Sequence, residues 1–167
     1  MPASLVGNSA TFTVTTPSDR EIVITRLFDA PRHLVFEAMT KPEHVKRWWG
    51  ILDERYSVPV CEIDLRPGGK WRFQGRGPMG DVGFHGEYRE IAPPDRLVFT
   101  EIYDPFPDAG SLVSAVFTDE AGKTRITVTC TYPSLEVRDA VVNSGMERGA
   151  AISYDRLDDV ARELMRS

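Results

Sequence analysis

Ligand-forming residues are scarce in this chain, with two cysteines and three histidines in 167 residues. Cys61 and Cys130 stand far apart and form no CxxC pair. His33, His44 and His85 show neither HExxH nor HxH spacing, so neither a metal site nor a cofactor is expected. Two isolated thiols read as free and buried, as in a reducing cytoplasm. Basic charge is also short. Lys and Arg number 20 against 25 Asp and Glu, for a net charge of −5, which argues against a phosphate-facing surface and so against a nucleic-acid partner. No apolar run approaches the ~20 residues of a membrane span, so membrane insertion is not expected. The opening MPASLVGNSA lacks the basic and apolar regions of a secretory signal, and a cytoplasmic protein is the expectation. Repeats, low-complexity tracts and Pro/Gly/Ser-rich linkers are missing too. The reading is therefore a flexible stretch over 1–10 followed by a single domain over 11–167.

What is present is a long series of strand patterns bracketed by helical ones. TFTVTT alternates with period two, and EIVITRLF is β-branched. In DAPRHLVFEAMTKPEHVKRWWG the apolar spacing becomes helical, and Pro42 disfavours helical geometry at Lys41, which predicts two short helices ending near Trp48-Trp49-Gly50. From Val58 to Tyr132 strand patterns follow one another with short breaks, which implies an antiparallel meander. In the last of them Ile126, Val128, Cys130 and Tyr132 share one face. Ser134 is a good N-cap for one long amphipathic helix running to about Met165. The order of elements predicts an α+β layer fold, with a curved antiparallel sheet wrapped on that helix.

Several motifs invite a catalytic or binding reading and fail on context. Gly75, Gly77 and Gly80 in GRGPMG match the G-x-G-x-x-G of dinucleotide loops, but VGFHGEYREI after them is a strand pattern where the motif needs a helix. The stretch reads as a loop between strands. Gly68-Gly69-Lys70 lacks the earlier glycine and the following Ser/Thr of a P-loop, and reads as a hairpin turn. Lys70 and Arg72 alternate with Trp71 and Phe73, so the basic residues point to one face and the aromatics to the other. Ser144-Gly145 lacks the preceding glycine of a nucleophile elbow. No catalytic residue is assigned. An enzyme would need His85, Glu101 or Tyr103 to converge in one cavity.

What remains is the placement of aromatic and small residues. Gly145 and Gly149 lie one turn apart in the predicted helix, each costing about 1 kcal/mol in propensity against alanine. They serve either close helix–sheet packing or a space left for a ligand. Trp71, Phe73, Phe84, Phe99, Tyr103 and Phe117 could line such a space, with Trp48, Trp49 and the loop DPFPDAG at its rim.

The words FDAPRHLVFEAMTKPEHVKRWWG, DLRPGGKWRF, GEYREIAPPDRLVFTE, KTRITVTCTYPS and SGMERGAAISYDRLDDVARELM, in this order, resemble a bacterial family. It comprises proteins similar to the C-terminal domain of the heat-shock-protein-90 ATPase activator, within the START-like or SRPBCC superfamily. The resemblance covers roughly residues 20 to 165. It implies a helix-grip fold, like that of the birch-pollen allergen, with a sheet of about seven strands around an apolar cavity. Non-catalytic binding of a small hydrophobic, lipid-like or aromatic molecule as carrier or sensor is the function it implies first. Co-chaperone work on a heat-shock-protein ATPase, with a chaperone as partner, is the alternative, and a cyclase or hydrolase a second. The activator's chaperone-binding domain has no counterpart in this sequence. The expected ligand site joins the aromatics above to Met146, Gly149 and Ser153 of the helix, with Glu101, Tyr103 or Ser153 orienting the ligand.

Overall fold

A computed structural model describes residues 4–8 and 11–167, the first of these by backbone alone. The strands are β1 (Ser4–Asn8), β2 (Phe12–Ser18), β3 (Glu21–Phe28), β4 (Ser57–Ile63), β5 (Lys70–Gly77), β6 (Gly80–Ala92), β7 (Arg96–Tyr103), β8 (Ser111–Glu120) and β9 (Lys123–Thr131). The helices are α1 (Arg32–Thr40), α2 (Pro42–Trp48), α3 (Leu135–Asn143) and α4 (Met146–Met165). All strands join one curved antiparallel sheet in the order β1-β2-β3-β9-β8-β7-β6-β5-β4.

The helix-grip architecture is as expected, but the strand count is not. Among the described residues there are nine strands where about seven were expected, because β2 extends beyond TFTVTT and Ser4–Asn8 pairs with it. Residues 1–3, 9 and 10 of the stretch read as flexible lie outside the described residues. GRGPMG is less of a loop than its glycines suggest. β5 runs through Gly77 and β6 begins at its partner Gly80, so only Pro78 and Met79 make the turn.

The predicted single C-terminal helix is two helices. Gly145 adopts φ +83°, a left-handed conformation that breaks the helical path between Asn143 and Met146. Ser134 caps α3 as expected, its Oγ accepting from the Val137 N–H at 3.2 Å. None of the four helices is long and apolar enough to cross a membrane.

Packing is uneven along α4. Toward its C-terminus Leu157, Val160 and Ala161 are at most 2% exposed, and this half lies against α1 and α2. The Trp48 indole is sealed beside them, donating to the Ala38 carbonyl at 2.9 Å and stacking on Tyr154 at 6.5 Å. Arg26, buried on β3, reaches Asp155 at 2.9 Å, and Asp158 accepts from the Asp29 N–H at 2.8 Å. The first half of α4 has no fully buried residue, and neither has α3. The domain therefore has a closed end and an end where α3 and the first half of α4 pack against the core through only partly buried side chains.

Candidate functional site

Strand alternation builds the floor of the open end. Leu97 is buried on β7, so Phe99, Glu101 and Tyr103 share its inward face. Register sets Phe99 opposite Tyr88 and Val113, Glu101 opposite Ser111, and Phe84 opposite both Phe73 and Tyr103. Val113 in turn faces Cys130 on β9. These residues lie on the inward face, where a side chain is normally sealed. Phe84, Phe99 and Glu101 nevertheless keep accessible surface.

A line of aromatic rings runs from this floor to the surface. Trp71 packs on Phe73 at 4.8 Å, Phe73 meets Trp49 at 5.4 Å, and Trp49 meets Phe84 at 5.7 Å. Phe84 continues to Tyr103 at 5.1 Å and Tyr103 to Phe106 at 5.8 Å. Exposure rises along it, from 4% at Trp71 to 38% at Tyr103 and 61% at Phe106. Gly86 makes the inner end possible. A Cβ there would stand 1.8 Å from the Thr100 carbonyl oxygen and 2.6 Å from Trp71 Nε1. Its absence lets the Trp71 indole cross β6 and donate to Thr100 at 3.1 Å.

Glu101 is the unusual group. Its carboxyl makes no hydrogen bond or ion pair with any described residue, and burial raises its pKa from the usual range to about 7. Cys130, pushed up to about 12 chiefly by burial, and Tyr132 and Tyr154, raised by the same cause, surround it as neutral groups. An apolar environment thus holds one ionisable group that can change charge near neutral pH. Because no described partner satisfies the carboxyl and Glu101 is not sealed, solvent reaches it.

The helix side of this space is also thin. A Cβ on Gly149 would meet nothing within 4 Å, so this glycine does not serve close helix–sheet packing. One turn later, Ser153 Oγ accepts from the Gly50 N–H at 3.1 Å, tying α4 to the segment after α2. Ser153 is therefore engaged in holding the helix. Met146 is only partly buried and packs against the core.

Of the residues predicted from sequence, Trp49, Phe84, Phe99, Glu101, Tyr103, Met146 and Gly149 belong to this open end. Trp48 and Phe117 are sealed at the closed end, Phe117 against Phe36 at 5.3 Å, while Trp71 and Phe73 form the inner wall. His85 does not join Glu101 or Tyr103. It pairs with Arg72 and Ile102 on the outer face, where its Nδ1 lies 2.7 Å from Asp104, itself held by Arg72 at 2.6 Å. The convergence an enzyme reading required is absent, because successive residues of one strand point to opposite faces. Sequence reasoning missed Gly86 and Tyr154, while Phe106 lies in the DPFPDAG loop that it placed at the rim. A lone glycine inside a strand pattern is the signal for Gly86, since it marks close backbone approach.

Two shallow surface grooves lie elsewhere. One, of about 490 Å³, is lined by Lys46, Arg47, Arg156 and Glu163 between α2 and α4, and the other, of about 480 Å³, by Lys70, Arg72 and His85. In the first, Arg47 is neutralised by Glu163, and in the second, Asp104 neutralises Arg72. Glu101 lies in neither groove.

Comparison with solved structures returns the same architecture. A protein of Rhodobacter sphaeroides is 25% identical with a TM-score of 0.82, covering 91% of this chain and 99% of its own. A Mycobacterium smegmatis protein is 26% identical with a TM-score of 0.76, over 85% of this chain and 90% of its own. An AHSA1-like protein of Aeromonas hydrophila, at 18% identity, shares the fold with a TM-score of 0.63 over 87% and 95%. Comparison with curated proteins finds no match. This fold suits a ligand-binding or co-chaperone-type role without choosing a ligand. The model of one family, described as Activator of Hsp90 ATPase homolog 1-like protein, matches residues 29–162, from the start of α1 almost to the end of α4, and the chain belongs to that family.

Proposed function

We propose that this protein binds a small hydrophobic molecule, aromatic or lipid-like, in the recess between the open half of the sheet and the first half of α4, without catalysing its conversion. The observation that carries this reading is Glu101, an inward carboxyl without a partner that stays accessible among Phe84, Phe99 and Tyr154. Burying a polar group costs free energy unless it is hydrogen-bonded, so a fold that keeps one here is better explained by an occupant than by packing. Affinity would come from desolvation of apolar area, at about 25 cal/mol per Å², with Glu101 fixing orientation. The aromatic line ending at Tyr103 and Phe106 supplies a route from the surface. A carrier or sensor in the cytoplasm fits the two free thiols.

The test is native mass spectrometry of freshly purified protein, followed by fluorescence titration with a panel of apolar aromatic probes. Trp49 is the reporter, isolated by comparing wild type with Trp49→Phe. A co-purifying mass or a saturable response lost in Trp49→Phe supports the reading. Neither in wild type would end it. The family description favours a second reading, stimulation of a chaperone ATPase, which predicts chaperone capture and faster ATP hydrolysis by that chaperone. That outcome does not need an open Glu101 and would survive Glu101→Gln.

A further inference from the structure

Glu101 narrows the chemistry of the occupant. The inference rests on the reading of the recess as a binding site and adds a charge to its ligand. The groups coupled to the carboxyl are neutral, Cys130 from β9, Tyr132 just after it and Tyr154 from α4, while Ser111 of β8 is its register partner and Phe99 shares its strand face. No cation of the described residues pairs with it, and Arg72 and His85 are on the opposite face, occupied by Asp104. Aromatic rings, whose faces attract positive charge, line the approach. A fold that has an acceptor and aromatic faces but lacks a donor is matched by a ligand that brings one.

We propose that the recess takes an amphipathic amine, with an apolar body along Phe84 and Phe99 and a protonated nitrogen donating to the Glu101 carboxylate. A fatty acid or other anion is disfavoured in the same place, since it would set two acceptors against each other. The pairing has a sign that can be read. In the free protein Glu101 titrates near 7, whereas an alkylammonium, like lysine, keeps its proton well above that range. Amine affinity therefore rises with pH through about 7 and levels above it, because only the ionised carboxylate makes the pair. Binding below that point expels the carboxyl proton to solvent.

Isothermal calorimetry with phenylbutylamine, phenylbutanol and phenylbutyrate separates the possibilities. The expected result is amine over alcohol by about ten- to a hundred-fold, the range for a hydrogen bond to a charged group, with phenylbutyrate weakest. Amine binding at pH 6 releases protons, seen as a buffer-dependent heat that vanishes at pH 8.5. Glu101→Gln removes the amine preference, so that amine and alcohol bind alike. An alcohol that binds as well as the amine would overturn the charge assignment while the recess stands, as would a preference that persists in Glu101→Gln. Failure of all three to bind would overturn the recess and this inference together. Proton release is measured on the wild type, so the test survives a variant that folds poorly.

Discussion

At the scale of single residues, Glu101 makes stability depend on pH in an unusual direction. Its folded pKa, about 7, is raised by burial above the ordinary glutamate value of 4.5. The folded state therefore holds the proton more tightly than the unfolded chain, and this contribution is complete below about 4.5 and lost as pH rises to about 7. At roughly 1.4 kcal/mol per unit, reduced because the side chain keeps accessible surface, the loss should be about 1–3 kcal/mol. Urea unfolding at pH 5 and pH 8 should show that slope in wild type and not in Glu101→Gln, which should be the more stable protein at pH 8. The sequence shows Glu101 as one letter of RLVFTEIY, and alternation with Leu97 and Phe99 places it inward. Its isolation could not be read there, because that depends on which groups β8, β9 and α4 bring opposite it.

At the scale of elements, glycines distinguish positions that look alike in sequence. Gly145 and Gly149 fall at helical spacing, and only the backbone separates their roles. Gly145 is left-handed at φ +83°, so Gly145→Ala should cost about 1–2 kcal/mol, whereas Gly149 is helical with open space beside it. Gly149→Ala should therefore be neutral or stabilise by up to about 1 kcal/mol. Chemical denaturation of the two variants side by side checks the opposite signs. Gly86→Ala is a third case. Its Cβ would overlap the Thr100 carbonyl, and a cost of about 1–3 kcal/mol or more is expected, with a shifted Trp71 emission as the indole loses its acceptor. Helix existence and strand faces were legible from periodicity, as the Ser134 cap and the opposed Trp71 and Arg72 illustrate. The break at Gly145 was not, because propensity lowers helicity at a glycine without saying whether the chain turns there.

At the scale of the whole molecule, the sheet and helices make one end that is closed and one that is not. The closed end is fixed by Leu157, Ala161 and the Arg26–Asp155 pair, while the open end relies on α3 and the first half of α4, which bury nothing fully. That division was only partly legible. The order of elements gave the α+β layers, and the aromatic positions gave most of the floor. The separation of Trp48 and Phe117 from Trp49 and Phe99 depends on where α4 crosses the sheet, which no local pattern encodes. The central claim is that the open end is where a small apolar molecule resides. Its most direct test is nuclear magnetic resonance titration of isotope-labelled protein with phenylbutanol, following the Glu101 carboxyl carbon, the aromatic ring signals and the Trp49 indole. Saturable shifts confined to Glu101, Phe84, Phe99, Tyr154 and Trp49 are predicted. Shifts that do not saturate, or that gather around Arg72 and His85 on the outer face, would contradict it.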